Sequence, residues 1–299
     1  MDKLKAMQCF VRIADTGSLT AAAQALGSSL PAVVRSLAAL EAHLGVRLFN
    51  RTTRRISLTE EGKRHLDSCR QVLAALDDAE AALRADASDP SGQLTITAPV
   101  LFGQMYVAPA VTRFVQRHRQ MRCSLVLLDR VVNLLEEGID VGIRIGTLED
   151  SSLVAQPLGQ LRRMVVASPA FLRRHGTPQH PKDLRQANCV RFMAGGSTGW
   201  TFHENGKALQ VPVSGNLDFN HVAPAVEACV AGLGFGRFIS YQVAPFLAQK
   251  KLQLVLEDFE PTPRPISVIY PHARLLPART RAFIEAIKGE LVSLNTLNA

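Results

Sequence analysis

One eight-residue segment divides the chain into two parts with different hydrophobic patterns. Residues 85–92 read Ala-Asp-Ala-Ser-Asp-Pro-Ser-Gly, the strongest linker signal in the sequence. Before this segment apolar residues recur with the period of a helix, whereas after it strand-like and helix-like stretches alternate, which is typical of an α/β domain. Since 299 residues are enough for more than one domain, we predict three parts, 1–58, 59–88 and 89–299.

The first part contains three predicted helices separated by short turns. Helical spacing predicts the first over 4–15, Ser18 can cap the second, and Ser29 can cap a third that has Pro31 in its first turn. A buried stripe is predicted in the third helix: Val33, Leu37, Leu40 and Leu44. Two helices joined by so short a turn form the helix-turn-helix pattern, whose second helix fits the major groove of DNA.

A hairpin with a cationic tip is predicted after these helices, over residues 48–58. Two short strands flank a Thr-Thr turn, and Arg51, Arg54 and Arg55 lie at or beside the tip. Guanidinium groups at such a wing can contact phosphates or enter a minor groove. An arginine-rich turn is by itself more often a solvated loop, so the order of the features, rather than any one of them, favours DNA binding.

Charge and composition narrow the class of protein. Basic residues exceed acidic ones by five within 1–65 and by six within 89–299, whereas 66–88 carries a net charge of −3. The five cysteines are scattered without a CxxC pair, and the eight histidines show no metal-ligand spacing. These cysteines predict reduced thiols in a cytosol, the histidines predict no metal, and we expect no cofactor. The charged start and the lack of a long apolar run predict a cytoplasmic protein with no membrane segment.

The N-terminal part carries several short motifs in a characteristic order. They are Gly17-Ser18-Leu19-Thr20-Ala21-Ala22-Ala23, Ser29-Leu30-Pro31-Ala32-Val33-Val34-Arg35, Leu40-Glu41, Leu44-Gly45, Leu48-Phe49-Asn50-Arg51 and Leu58-Thr59-Glu60-Glu61-Gly62. With these motifs the chain resembles the LysR-type transcriptional regulators over its whole length, and within that family the CrgA-like branch. The resemblance implies an N-terminal all-α winged helix-turn-helix, a long linker helix for dimerisation, and a periplasmic-binding-protein-like α/β effector domain of two lobes.

The resemblance also implies which residues contact DNA. Combined with the arginine wing, it gives the candidate DNA-binding residues Ser18, Thr20, Ser29, Pro31, Val34, Arg35, Arg51, Thr53, Arg54 and Arg55. Family members commonly carry a polar residue, often Gln, where this chain has Leu30, and usually Ser where it has Val34. We therefore predict that Val34 contacts the methyl group of a thymine instead of forming a hydrogen bond.

A long helix is predicted next, with Thr59 as its cap and two glutamates at its positive end. Apolar residues along it follow a heptad pattern: Leu66, Cys69, Leu73, Leu76 and Leu83. This pattern favours a seam between two copies in a homodimer or homotetramer. The alternative is that the stripe packs against the chain's own body.

The third part is predicted to form two lobes around a cleft. The first lobe, about 92–161 and 266–299, begins as a βαβαβ unit with a parallel sheet, and the second covers about 162–265. The first-lobe elements are strands 93–98, 123–128, 141–145 and 266–270 and helices 104–119, 131–137 and 279–294. The second-lobe elements are strands 163–167, 189–192 and 235–239 and the helix 222–231.

Ligands of such sheets bind beyond the carboxyl ends of the strands. This rule selects the effector-binding candidates Pro99, Val100, Leu101, Phe102, Gly103, Asp129, Arg144, Gly146, Met193, Asn220 and His221. Arg144 can pair with a carboxylate of a ligand or with Asp129 or Asp140. The segment after the first strand offers no hydroxyl group, which favours a ligand with a hydrophobic part, or weak dependence on any ligand.

Two glycine motifs look catalytic but lack the required context. Residues 195–199 match G-x-S-x-G, yet extended chain follows where a nucleophile elbow needs a helix. The glycines of 232–236 lead from a helix into a strand, the reverse of a dinucleotide-binding turn. We predict a transcriptional regulator rather than an enzyme, with double-stranded DNA, a small effector and further copies of itself as partners. The alternatives are a solute-binding protein and a regulator whose cleft is vestigial.

Overall fold

The computed structural model describes residues 1–51, 56–83, 89–147, 153–192, 199–271 and 276–291. The chain divides into two compact units, Met1–Gly92 and Gln93–Ala299. Among the helices of the described residues, none is long and apolar enough to cross a membrane.

The N-terminal unit consists of four helices and a short antiparallel hairpin. The elements are α1 (Lys3–Thr16), α2 (Leu19–Ala25), α3 (Leu30–Leu44), β1 (Phe49–Arg51), β2 (Ile56–Leu58) and α4 (Glu60–Leu83). The predicted caps are confirmed: Ser18 Oγ accepts the Ala21 N–H at 3.3 Å, and Ser29 Oγ accepts the Ala32 N–H at 3.4 Å.

The core of this unit is formed by one face of each helix and the hairpin. Its buried residues are Ala6, Cys9, Phe10, Ile13, Ala22, Ala23, Val33, Leu37, Leu40, Leu48, Phe49, Leu66 and Cys69. The stripe predicted for α3 is confirmed at three positions and wrong at Leu44, which is 38% exposed. Leu44 is the last residue of α3, and Gly45 then turns the chain away with a left-handed backbone.

Helix α4 lies against the unit's own core at its start. Leu66 and Cys69, two positions of the predicted dimer seam, are 8% and 1% exposed, so they cannot meet a partner, and the seam prediction is wrong for both. The approach is close because Gly62 has no side chain, and a Cβ there would lie 2.1 Å from the Leu48 carbonyl oxygen. Thr59 caps α4 as predicted, since its Oγ1 accepts the Gly62 N–H at 2.9 Å.

The first lobe of the C-terminal unit is built on a five-stranded sheet in the order β4-β3-β5-β14-β6. Its strands are β3 (Gly92–Ala98), β4 (Met121–Leu127), β5 (Val141–Ile145), β6 (Leu153–Leu161) and β14 (Arg264–Pro271). Its helices are α5 (Val100–Phe102), a π-helical turn (Gly103–Val107), α6 (Ala108–Arg117) and α10 (Ala278–Leu291). We call this sheet with its helices lobe I.

Lobe II is built on a second sheet, in the order β11-β8-β12-β7-β13, with a hairpin beside it. Its strands are β7 (Arg163–Ala167), β8 (Cys189–Phe192), β11 (Asp218–Phe219), β12 (Phe235–Ile239) and β13 (Gln253–Val255), and the hairpin strands are β9 (Gly199–Glu204) and β10 (Lys207–Pro212). Its helices are α7 (Pro169–His175), α8 (Val222–Val230), α9 (Ser240–Ala248) and the 3₁₀ segments Pro181–Gln186 and Glu257–Phe259.

Three details of lobe I differ from the predictions. The helix predicted over 131–137 is wrong: Asn133 Oδ1 accepts the Leu135 N–H at 3.1 Å, and Gly138, with φ of 64°, ends the resulting turn. The helix predicted from Gln104 begins at Val100 instead, directly after β3. The sheet is mixed rather than parallel, because β3 pairs with β5 in parallel but β14 pairs with β5 antiparallel.

Two crossings of the chain connect the lobes, as predicted. The first is at Arg162, between β6 and β7, and the second precedes β14. The Arg162 guanidinium joins them by donating two hydrogen bonds, of 2.8 and 2.9 Å, to the carboxylate of Glu260. The Arg162–Glu260 pair therefore links the two crossings.

Candidate functional sites: a helix surface and an arginine-rich cleft

The exposed face of α3 carries the described part of the predicted DNA contacts. Pro31 and Arg35 are exposed and Val34 is partly buried, one turn apart on the side opposite the core. Leu30, the position at which the resemblance implies a polar residue in most members, is 41% exposed at the start of the helix. Thr20 is exposed near the start of α2.

This helix is fixed both by its buried stripe and by a hydrogen bond to the hairpin. Glu41 Oε1 accepts the backbone N–H groups of Leu48 and Phe49 at 2.9 and 3.3 Å. The start of the wing is thereby held to the helix that carries Arg35. The wing tip (Thr53, Arg54 and Arg55) and the side chain of Arg51 lie outside the described residues.

A cleft of about 520 Å³ separates the two lobes. This volume suits a small molecule. The residues that line it come from both sheets, from the segment after β4, and from the starts of α5, α8 and α9 and the π-helical turn: Pro99, Val100, Leu101, Gln104, Leu128, Asp129, Arg130, Val131, Arg144, Ile145, Arg163, Phe192, His221, Val222, Ala223, Arg237, Phe238, Ile239, Tyr241, Gln242 and Arg264.

Six of the predicted effector-binding residues lie in this lining. They are Pro99, Val100, Leu101, Asp129, Arg144 and His221. Phe102 and Gly103 are corrections: Phe102 is fully buried against Tyr106 and Tyr241, and Gly103 is packed against Leu127. The helix starts so early that these two residues turn into the lobe core.

The other predicted effector residues are placed differently. Gly146 and Asn220 lie outside the lining, although a Cβ on Gly146 would lie 3.8 Å from Arg264 Nη1. Met193 lies outside the described residues, as does most of the 195–199 motif.

Asp129 and His221 face each other from the two lobes. Asp129 Oδ1 accepts the Val100 N–H at 3.0 Å, while its Oδ2 lies 3.9 Å from His221 Nδ1. His221 is the N-cap residue of α8, but its side chain makes no capping hydrogen bond. It is therefore a polar residue lining the cleft rather than a cap.

Arg144 pairs with neither of the two acids considered for it. Within the described residues its Nη2 is buried and has no hydrogen-bond partner. Burial is the main cause that lowers the pKa of Arg144, and the charge of Arg130 lowers it further, against the opposing effect of Glu137. Glu137 itself is held by Arg130 through hydrogen bonds of 2.7 and 2.8 Å.

Four further arginines line the cleft that the strand-end rule missed: Arg130, Arg163, Arg237 and Arg264. Arg237 is opposite Val165 in the β12–β7 pair, so its side chain shares one face of the sheet with that of Arg163. The Arg237 guanidinium lies 5.4 Å from the centroid of the Trp200 ring, and its Nη1 donates to the Thr201 carbonyl at 3.0 Å.

Burial and mutual repulsion destabilise the charged forms of two of these arginines. Burial, followed by the charge of Arg264, lowers the pKa of Arg163 to about 10. Burial, followed by the charges of Arg163 and Arg264, lowers the pKa of Arg237 to about 9. A guanidinium within an apolar strand, as in Phe235-Gly236-Arg237-Phe238-Ile239, is the sequence signal that could have identified this group.

The described part of the chain after the G-x-S-x-G motif, and the buried cysteines of lobe II, can also be compared with the predictions. Trp200, Thr201 and Phe202 lie in strand β9, as predicted for the chain after the G-x-S-x-G motif. Burial raises the pKa of both Cys189 and Cys229 to about 12, so both are thiols at neutral pH. Within the described residues, no group of three or more His, Cys, Asp or Glu side chains is placed to hold a metal ion.

The geometry thus defines a helix-turn-helix protein joined to a two-lobed ligand-binding unit. Two family models match it: "Bacterial regulatory helix-turn-helix protein, lysR family" over residues 4–63, and "LysR substrate binding domain" over residues 87–292. The chain belongs to the LysR-type transcriptional regulators, as its N-terminal motifs predicted, and it is a regulator rather than an enzyme.

Individual relatives match over nearly the whole chain. An HTH-type transcriptional repressor of Pseudomonas aeruginosa (strain UCBPP-PA14) is 37% identical, with 95% of this chain and 90% of the relative covered. The transcriptional regulator CrgA of Neisseria meningitidis serogroup C (strain 8013) is 31% identical over 94% of this chain and 95% of CrgA. A solved CrgA structure superimposes with a TM-score of 0.63 and 30% identity, covering 96% of this chain and 98% of that one.

Proposed function

We propose that this LysR-type regulator binds paired half-sites in double-stranded DNA in the cytoplasm, and that a small effector in the cleft changes its DNA binding or promoter activation. The observation that carries the proposal is the presence on one chain of an exposed, firmly anchored α3 face and a cleft between two lobes. Lobes connected by two crossings can move relative to each other, so a ligand that binds one arrangement more tightly shifts the population.

The DNA-binding surface that we propose is centred on Arg35 and Val34 of α3. Exposed Pro31 and Thr20 flank it, and Ser18 and Ser29 support it by capping α2 and α3. Arg51, Thr53, Arg54 and Arg55 are proposed to reach the DNA backbone or the minor groove from the wing.

The paired half-sites require at least two copies of the chain, since recognition elements of regulators of this kind bind as dimers. We propose that the half-buried Leu73 and Leu76 of α4, together with Leu83, form the seam of a homodimer or homotetramer. This seam begins one turn beyond Cys69, where α4 leaves the unit's own core.

Replacing Arg35 by Ala tests the DNA-binding surface. Because Arg35 is exposed, we expect Arg35→Ala to weaken binding to the intergenic DNA beside the protein's own gene by about tenfold or more, with the folded state unchanged. Arg54→Ala is expected to act similarly through the wing. Arg173→Ala, an exposed arginine of α7 in lobe II, is the matched control. Unchanged affinity of Arg35→Ala at physiological salt would contradict the assignment.

Footprinting with and without candidate metabolites tests the coupling. An effector that binds the cleft is expected to change the footprint or its midpoint concentration. A footprint that no cleft ligand alters would leave a DNA-binding protein with a vestigial cleft. A complete lack of salt-dependent DNA binding would favour a solute-binding protein instead.

A further inference from the structure

We propose that the cleft binds a small molecule with two anionic groups joined by an apolar carbon skeleton. Arg144 of lobe I holds one anionic group, and Arg163, Arg237 and Arg264 hold the other. This inference names the effector class for the cleft and rests on the proposed function only for the cleft's regulatory role.

The charges that face the cleft do not balance within the described residues. Its lining contains five arginines but a single carboxylate, that of Asp129. One arginine, Arg130, is satisfied by Glu137, and Asp129 already accepts the Val100 N–H and faces His221. Four guanidinium groups are therefore left without an acidic partner in the lining, an arrangement that an anionic ligand would stabilise.

These four groups form two separate positions. Arg144 extends from β5 in lobe I and interacts electrostatically with Arg130 and Glu137. Arg163 and Arg237 project from the paired strands β7 and β12 in lobe II, and both interact with Arg264 at the start of β14. A ligand with one anionic group would neutralise one position and leave the other uncompensated, whereas two anionic groups would neutralise both.

Apolar side chains make up much of the remaining lining of the cleft. They are Pro99, Val100, Leu101, Leu128, Ile145, Phe192, Val222, Phe238 and Ile239. Such a wall stabilises a hydrocarbon skeleton by removing it from water and gives no hydrogen bonds to a polyhydroxylated one. The hydrophobic ligand part predicted from the sequence is thus retained, and the two charges are added by the structure.

A matched series of six-carbon probes tests the ligand class on the full-length protein. The probes are adipate with two carboxylates, hexanoate with one, and hexanediol with none, together with isophthalate and benzoate as an aromatic pair and inorganic phosphate as an anion without a skeleton. Binding is measured by thermal unfolding and by fluorescence of Trp200, the single tryptophan, which Arg237 faces at 5.4 Å. A ligand at Arg237 is expected to change that emission.

At millimolar concentration, adipate or isophthalate is expected to raise the Tm by about 3 °C and to bind at least about tenfold more tightly than hexanoate or benzoate. Hexanediol and phosphate are expected to leave the Tm unchanged. The proposal is overturned if a monocarboxylate or hexanediol stabilises the protein as much as its dicarboxylate partner, or if no dicarboxylate moves the Tm.

Substitutions locate the two positions. Arg144→Gln and Arg163→Met are each expected to reduce dicarboxylate affinity by about tenfold or more, to the level of the monocarboxylate. Arg264→Gln, at an exposed position, gives the same test should a buried variant fail to fold, and Arg173→Met is the control outside the cleft. Dicarboxylate affinity that is unchanged in Arg144→Gln or Arg264→Gln overturns the two-position assignment.

The thermal stability of the variants without ligand is an independent measurement. Because Arg163 is partly buried near the cations Arg237 and Arg264, Arg163→Met is expected to have a Tm without ligand equal to or above that of the wild type. A clear decrease would mean that Arg163 serves the fold and would contradict its role as an unpaired ligand-binding group.

The ligand class and the regulatory coupling to DNA can be refuted separately. Dicarboxylate binding that leaves DNA affinity unchanged would support the ligand class and refute the regulatory coupling. DNA binding that depends on Arg35 while no dicarboxylate binds would retain the DNA-binding function and refute the ligand class.

Discussion

The two units place their candidate sites in opposite ways. In the N-terminal unit the site is the exposed side of one helix, whose opposite side is buried in the core. In the C-terminal unit the site is a cleft, and four of its five arginines are contributed by four different strands, β5, β7, β12 and β14.

The two sites therefore differ in how much their charged groups destabilise the protein without a ligand. Arg35 is exposed, so water solvates its charge in the free protein, and the proposed contact with DNA would replace that water. Arg163 and Arg237 are partly buried near like charges, which destabilises their charged forms. The proposed anionic ligand would remove that cost at the cleft, whereas the exposed Arg35 carries no comparable cost in the free protein.

The largest expected effect is a loss of stability that is confined to the N-terminal unit. Gly62→Ala places a Cβ about 2.1 Å from the Leu48 carbonyl oxygen, so the start of α4 must move. We expect a loss of about 4 kcal/mol in the N-terminal unit. Circular dichroism should show early unfolding and DNA binding should be lost, while the Trp200 fluorescence transition of lobe II keeps its midpoint.

Gly289→Ala is the control for this substitution. Gly289 lies in α10, where a Cβ would meet nothing within 4 Å, so alanine is expected to stabilise that helix by about 1 kcal/mol or less. Equal midpoints for Gly62→Ala and the wild type would show that α4 does not need the close approach.

The next effect distinguishes core from seam within α4. Leu66→Ala removes a buried side chain from the N-terminal core and should lower the free energy of unfolding by about 3 kcal/mol at every protein concentration. Leu73→Ala and Leu76→Ala should instead shift the dimer–monomer equilibrium, measured by analytical ultracentrifugation. If the stability lost in Leu66→Ala depended on protein concentration, while that of the other two variants did not, Leu66 would belong to the dimer seam, contrary to its burial in the structure.

A smaller effect arises in the core of lobe II and depends on pH. The pKa of Cys189 and that of Cys229 rise from 9.0 to about 12 on folding. A raised folded pKa gives stability that is complete below pH 9 and is lost as the pH rises towards 12, by about 1 kcal/mol per thiol at pH 10. Urea unfolding followed by Trp200 fluorescence from pH 8 to pH 11 should show this decline.

Cys229→Ala should make that pH profile shallower. The same burial should protect both thiols from alkylation of the native protein at neutral pH. Rapid native-state modification of Cys189 or Cys229 by a thiol reagent would show that the core of lobe II opens readily.

The smallest effect concerns base recognition by α3. Val34 is expected to contact the methyl group of a thymine, and removing that methyl by uracil substitution should cost about 0.8 kcal/mol at one position of the site. Competition binding with single uracil substitutions measures it. Unchanged affinity at every substituted thymine contradicts the contact.

Local order explains why the helices of the N-terminal unit and the exposed face of α3 could be predicted well. Ser18, Ser29 and the apolar residues of α3 lie within a few turns of one another, so caps and periodicity define both the helix and its exposed face. Even here, Leu66 and Cys69 were predicted to belong to a dimer seam although they are buried in the N-terminal core. A heptad pattern shows that one face of a helix is apolar, but it does not show which surface packs against that face.

Non-local pairing explains why the cleft could be predicted only in part. The strand-end rule found Asp129, Arg144 and His221, each next to a recognisable strand or helix start. It missed Arg163, Arg237 and Arg264, which meet only because β7 pairs with β12 and the chain crosses back to β14. It also included Phe102 and Gly103, since the onset of the helix after β3 depends on packing.

By itself the sequence determined the family, the helix-turn-helix with its caps, and the alternation of strands and helices in two lobes, because these depend on local propensity and hydrophobic period. The tertiary structure decided which face of α4 is covered, how the first sheet mixes its strand directions, and which arginines share the cleft. Each of these depends on contacts between residues far apart in the chain, which no local pattern records.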